Sequence, residues 1–322
     1  MKNNSFDLGD LYIVDFVKSL GKRKNIFAVI YLVINALLIS LFVMPMVQNV
    51  WLGLLWGILL YALTATVALS PLGEWIFRIL NGCNEIKDPA VLQRLQPLFE
   101  EVKRTAKARH PEMKIEESIS LYICDSEGIN AFAMGRRTVC VTQGLLQLPD
   151  DQIMGILGHE FGHLASHDTD LTLLITVGNQ IISAIVTVIR VCVWLVDLMM
   201  RIVSCFMDDD NSWLLNLMTS LSTLMTTVCI NGLMWIWTKL GILLVMKSSR
   251  EAEYEADAFS CRLGYTNGLL TFFRWLESAE AKSGEKDSSI FAALSASHPA
   301  TSKRITRIQT LPAAASRPAI EN

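Results

Sequence analysis

Gly158-His159-Glu160-Phe161-Gly162-His163 is the stretch that decides how this chain is read. Residues four apart on a helix lie one turn apart on the same face, so His159 and His163 can both present an imidazole to one Zn²⁺ at about 2.1 Å. Glu160, between them, sits where a carboxylate can hold the water beside that ion. The pattern asks for a helix, one zinc ion per chain and the activation of water. The flanks agree, since Asp150 or Asp151 offers an N-cap for a helix running to about His167. A chance occurrence on a surface helix is the plainer reading, and the placing of the motif on a capped helix argues against it.

Two histidines and a water leave a zinc site one protein ligand short. His167 continues the four-residue spacing. An unbroken helix, however, puts about 12 Å of rise between it and His159, too far for both to bind one ion. His167 is therefore read as a support behind the ligands or as a structural residue. Farther on, Arg250-Glu251-Ala252-Glu253-Tyr254-Glu255-Ala256-Asp257 supplies carboxylates on a predicted helix. Taken alone it reads equally well as an acidic, solvated helix start.

Outward from the motif, the composition segregates. Of 322 residues, 52% are hydrophobic and only 18% charged, too apolar for an ordinary soluble protein of two domains. Residues 26–73 contain no Asp, Glu, Lys or Arg, enough for two membrane spans of about 20 residues each. Pro45 and the Gln48-Asn49 pair mark the turn between them. A second apolar region, residues 171–246, reads as another hairpin with Asp208-Asp209-Asp210 at its tip. Within it Arg190 and Asp197, seven apart on one face, are placed to pair inside the bundle or to lie at the outer interface.

Lys18, Lys22, Arg23 and Lys24 precede the first span, and Lys247 and Arg250 follow the fourth. The positive-inside rule then puts both termini and residues 74–170 in the cytosol. The expected organisation is a cytosolic N-terminal segment (1–25), a first hairpin (26–73), a soluble part carrying the H-E-x-x-H helix (74–170), a second hairpin (171–246), a second soluble part (247–311) and a flexible tail (312–322).

Inside the soluble part, Val91, Leu95, Leu98 and Val102 give residues 88–110 the apolar spacing of an amphipathic helix. Residues 119–124 and 138–142 read as strands, with Gly135-Arg136-Arg137 in a hairpin turn. Lys plus Arg number 28 against 31 Asp plus Glu, so no basic field supports a nucleic-acid partner. Seven cysteines without a C-x-x-C pair fit reduced thiols rather than a disulfide framework.

His159-Glu160-x-x-His163, followed much later by Arg250-x-x-Glu253-x-x-Ala256-Asp257, resembles the gluzincin membrane metalloproteases of the HtpX type and, more distantly, the type I CAAX prenyl proteases. The resemblance extends to Asn130-Ala131-Phe132-Ala133, to residues 139–145, to Ser297-His298-Pro299 and to Arg304-Ile305. It implies His159, His163 and Glu253 as zinc ligands with Glu160 as general base. It also implies a mainly α integral membrane protein: four transmembrane helices in two hairpins plus a cytosolic zincin-like α+β protease domain with a small sheet. The helical period adds that Glu251 and Glu255 each lie about 200° from Glu253, so a helix presenting Glu253 to the metal turns both neighbours away.

The activity so implied is an ATP-independent zinc endopeptidase acting on misfolded or damaged membrane proteins and unfolded chains. Its place would be the cytosolic face of a bilayer, in a multi-pass protein of the bacterial inner membrane. Asp257, one turn after Glu253, is positioned to accept a hydrogen bond from the outer nitrogen of a ligating histidine. Asn130, Ala131, Phe132 and Ala133 fit an edge strand that pairs with substrate backbone, and fit an ordinary buried hairpin equally. His298, before Pro299, reads either as an oxyanion donor or as an exposed helix-start histidine. Two functions of other classes compete: a catalytically inactive membrane scaffold, which has no need of Glu160, and a metal-regulated transporter, for which no midplane binding site is evident. The polar segment before Lys22 and Asp168-Thr169-Asp170 after the motif depart from the pattern expected of the HtpX type.

Overall fold

A computed structural model of the chain describes residues 12–13, 16–17, 26–111, 115, 118–204, 212–282 and 300–311. Two apolar helices come first, α1 (Ile26–Val47) and α2 (Val50–Ala68). The helix runs through Pro45, so the turn is tighter than the sequence suggests. Gln48 takes a left-handed φ of 55°, and the Asn49 side chain accepts hydrogen bonds from the N–H groups of Trp51 and Leu52, capping α2. Ser70 caps the short helix α3 (Pro71–Leu80), with proline at its first position.

The soluble part is a small mixed sheet backed by helices. After β1 (Cys83–Asn84) come α4 (Pro89–Arg109), β2 (Ser120–Cys124), β3 (Ala131–Met134) and β4 (Thr138–Thr142). Asp88 caps α4, and the helix and both strands expected from the sequence form where it places them. Strand order is β1-β2-β4-β3, with β2 and β4 parallel and the other pairs antiparallel. This leaves β3 on the sheet edge. Gly135, with φ +60°, opens the turn from β3 to β4.

The H-E-x-x-H helix is α5 (Asp150–Ser166), and α6 (Asp168–Ser204), α7 (Ser212–Arg262), α8 (Thr266–Lys282) and α9 (Thr301–Thr310) follow. Leu95, Phe99 and Val102 of α4, Val139 and Val141 of β4, Ile153, Leu157 and Phe161 of α5, and Phe259 and Leu269 share one core. Neither aspartate caps α5. Pro149 occupies the cap position, and Asp150 instead binds Arg94 of α4, whose guanidinium also donates to the carbonyls of Leu146 (2.6 Å) and Leu148 (2.7 Å). Arg94 thereby fixes where α5 begins.

The molecule is mostly helical with a small mixed sheet. Among the described residues two helices are long and apolar enough to cross a membrane, α2 and the stretch Asp168–Val203 of α6, with a shorter apolar stretch at Val29–Leu41. The division expected at 246/247 falls inside α7, which continues unbroken from the apolar region into the acidic one. Arg190 and Asp197 do not pair: Asp197 binds Arg201 at 2.9 Å, one turn away, and Arg190 donates to Asn231. The i,i+4 partner wins because it lies one turn away, whereas Arg190 is seven residues and about 10 Å of rise distant on the same helix.

Candidate metal centre

Three helices bring the site together. Glycines at 155, 158 and 162 give α5 a face without side chains, and α7 and α8 lie against it. A Cβ at Gly158 would stand 2.7 Å from Ser260 Oγ and one at Gly162 2.8 Å from Ala256 Cα, so only glycine permits this approach. Ser260 secures it by donating to the Gly155 carbonyl at 2.7 Å. The consequence is that His159 and His163 meet Glu253.

His159 Nε2 lies 3.2 Å from His163 Nε2 and 3.5 Å from Glu253 Oε2, and His163 Nε2 lies 3.4 Å from Glu253 Oε1. Ligand atoms about 2.0–2.1 Å from one ion at tetrahedral angles stand about 3.4 Å apart, and the spacing of the two histidines and of each from its nearer Glu253 oxygen lies close to that value. They form one group of convergent donors. Of the neighbouring carboxylates, Glu251 faces outward to Arg307 at 3.0 Å and Glu255 is exposed, whereas Glu253 is buried.

Behind the donors stands a second set of charges. Asp257 Oδ1 is 2.9 Å from His159 Nδ1, which puts the ring hydrogen on Nδ1 and turns the Nε2 lone pair toward Glu253. Arg304 of α9, stacked on the Phe273 ring, grips Asp257 with two hydrogen bonds of 2.6 and 2.8 Å and reaches Glu253 Oε2 at 3.3 Å. Burial would raise the Asp257 carboxyl, but the Arg304 guanidinium and His159 hold it below its usual range. Burial also works against a charged His163, yet Asp168 and Glu253 outweigh it and push the imidazole up to about 10. His159 is raised in the same sense by Asp257 and Glu253. A pocket that holds positive charge this firmly suits a divalent cation.

Glu160 lies beside the donors, and its Oε2 accepts the N–H of Ala133 at 2.7 Å. That contact places the edge strand against Glu160. Thr142 N–H donates to the Asn130 carbonyl, so by antiparallel alternation the backbone polar groups of Ala131 and Ala133 point away from β4. Both readings of residues 130–133 describe part of what forms: β3, from Ala131 to Met134, lies on the sheet edge and is also one arm of a largely buried hairpin with β4, with Asn130 joined to Thr142 at its start.

His167 ends α5 in a left-handed conformation (φ 58°) and lies outside the donor group. His298 lies outside the described residues, as do the acidic cluster at 208–210 and the tail from 312. Arg304 is marked in the sequence only by the resemblance. Its role had no local signal, because the carboxylate it grips is 47 residues away. Asp168, noted for departing from the expected pattern, lies 3.9 Å from His163 Nδ1.

Residues 89–311 match the family model described as peptidase family M48. The chain is also similar to proteins named Protease HtpX homolog. That of Bacillus licheniformis is 28% identical over 58% of this chain and 61% of its own length. Those of Bacillus velezensis and Lactobacillus helveticus are 25% and 27% identical over 74% and 72% of this chain, in each case 78% of their own length. The chain thus spans less than two thirds of the first relative and more than three quarters of the other two. The matched region holds both histidines, Glu160, Glu253, Asp257 and Arg304, and on this evidence the chain belongs to peptidase family M48 and is a metalloprotease similar to the HtpX proteins.

Proposed function

We propose that this chain is a zinc endopeptidase of the membrane that hydrolyses misfolded or damaged membrane proteins at the cytosolic face. The observation that carries the reading is the meeting of three convergent donors with a buried carboxylate, Glu160, beside the edge strand β3. His159, His163 and Glu253 are the residues that would hold the ion, and zinc, when bound, supplies a Lewis acid that polarises a carbonyl and acidifies water.

The chain's own groups do the rest. An extended substrate pairs with the outward N–H and carbonyl of Ala131 and the carbonyl of Ala133, whose N–H Glu160 holds, and this aligns the scissile bond over the donors. Glu160 Oε2 takes the proton of the attacking water and passes it to the leaving amine nitrogen. Asp257 keeps His159 in the tautomer that ligates, and Arg304 holds Asp257 and Glu253 in place.

Residues 74–170 and 247–311 are taken as two parts of one protease domain, with four spans in two hairpins between and before them. Supporting this, α7 carries Glu253 as a direct continuation of its apolar length, so the metal lies close to the bilayer surface. Substrates presented there are membrane-embedded chains or unfolded segments next to the membrane. Detergent-purified protein should hydrolyse casein, stop on chelation and recover with Zn²⁺. Zinc-loaded protein that leaves casein and unfolded membrane proteins intact would refute the proposal.

A further inference from the structure

The turn that carries the edge strand is held by residues no part of the mechanism uses. Tyr12, from the segment before the first apolar helix, is buried and donates its backbone N–H to the Leu69 carbonyl at 3.2 Å. Its hydroxyl donates to Glu74 Oε1 at 2.6 Å. The same oxygen accepts the N–H of Arg136 at 2.7 Å, and Glu74 Oε2 accepts the Thr138 hydroxyl at 2.8 Å. Arg136 lies 4.6 Å over the Tyr12 ring, bonds the Tyr12 carbonyl at 3.3 Å and pairs with Asp170 at 2.9 Å. Thr169 donates to the Gly135 carbonyl. A turn between two strands needs none of this beyond a glycine with positive φ.

Glu74 and Asp170 are each 1% exposed and Arg136 7%. Burying three charges is costly unless each is fully paired, and such groups are kept where they fix one arrangement among several. The arrangement fixed here is the height of β3. Gly135 and Arg136 follow Met134 directly, and Ala133, one residue earlier, is the group that meets Glu160 at 2.7 Å. No side chain in this cluster is one of the metal donors.

We propose that Tyr12, Glu74, Arg136 and Asp170 are positioning residues that set the edge strand over Glu160, and that Tyr12 makes the N-terminal segment a working part of the substrate site. The inference rests on the reading that β3 binds substrate backbone. Loosening the cluster lets β3 drift, which weakens the pairing of an extended substrate and lengthens the Ala133–Glu160 contact while leaving the metal donors, and Glu160 on its own helix, in place.

The test uses the full zinc-loaded chain in detergent and a fluorogenic peptide long enough to pair along β3. Tyr12→Phe, which removes one hydroxyl, is expected to raise KM about fivefold, and Glu74→Gln, which puts a donor among donors, about tenfold. Zinc content and kcat stay within about twofold of wild type. The double variant should be no worse than Glu74→Gln alone, because both changes break the same link. Unchanged KM, additive effects, a loss confined to kcat, or loss of zinc on Tyr12→Phe would each overturn the proposal. Ala131→Pro, which deletes an outward N–H of β3, separates the two layers. If it raises KM while the Tyr12 and Glu74 variants do not, this inference alone fails; if it leaves KM unchanged, the edge-strand reading fails and takes this inference with it.

Discussion

Glu253 and Glu251 differ by two positions on one helix and by everything around them. Glu253 is buried against two histidines and Arg304, whereas Glu251 makes a surface pair with Arg307. An exposed ion pair contributes about 0–1 kcal/mol, so Glu251→Ala should keep its zinc and its activity. Glu253→Ala removes one of three donors and should leave substoichiometric zinc after dialysis, with activity falling in proportion. Metal analysis and casein hydrolysis on the two variants check both outcomes, and full zinc in Glu253→Ala would remove it from the ligand set. The helical period puts Glu253 on a different face from Glu251 and Glu255, and Asp257, one turn on, marks that face as the one turned to the metal. Arg304 was not legible in the same way. Its meaning depends on a contact across 47 residues that no local pattern encodes.

At the scale of elements, the glycine face of α5 decides whether the two halves of the site meet. Gly162 adjoins His163 and faces Ala256, three residues after Glu253. Gly162→Ala should force α5 and α7 apart, cost about 1–3 kcal/mol and weaken zinc binding. Thermal unfolding with and without zinc reads both effects; unchanged stability together with unchanged zinc affinity would mean that the close approach is not needed. The helix itself was readable from the motif and its apolar flanks. Its cap was not, because Asp150 was drawn to Arg94, a partner 56 residues away. The break expected after residue 246 was a change of composition rather than of conformation. Lys247-Ser248-Ser249-Arg250 contains neither glycine nor proline, so nothing in it stops a helix.

For the whole molecule, lengths carry the argument. A helix of 37 residues such as α6 is about 55 Å long and one of 51 such as α7 about 77 Å, against an apolar bilayer core of about 30 Å. In the proposed topology both would extend well beyond the hydrocarbon, and α7 would bear Glu253 on its extension. The proposed topology puts that end in the cytosol. In a cysteine-free background, a membrane-impermeant thiol reagent applied from outside should label a cysteine at Asn211, between α6 and α7, and miss one at Ser288. The reverse pattern would invert the molecule and put the metal donors outside. Hydropathy and charge made the apolar regions legible, but the continuity of α7 from its apolar stretch to Glu253 belongs to the fold.

The central claim is that Glu160 acts as a base beside a zinc ion held by His159, His163 and Glu253, and the most direct measurement is paired zinc analysis and turnover on Glu160→Gln. The amide can still hydrogen-bond a water and the Ala133 N–H but cannot take a proton. The account predicts one zinc per chain and a turnover lowered at least about 10²-fold. Turnover near that of the wild type, with zinc bound, would contradict it.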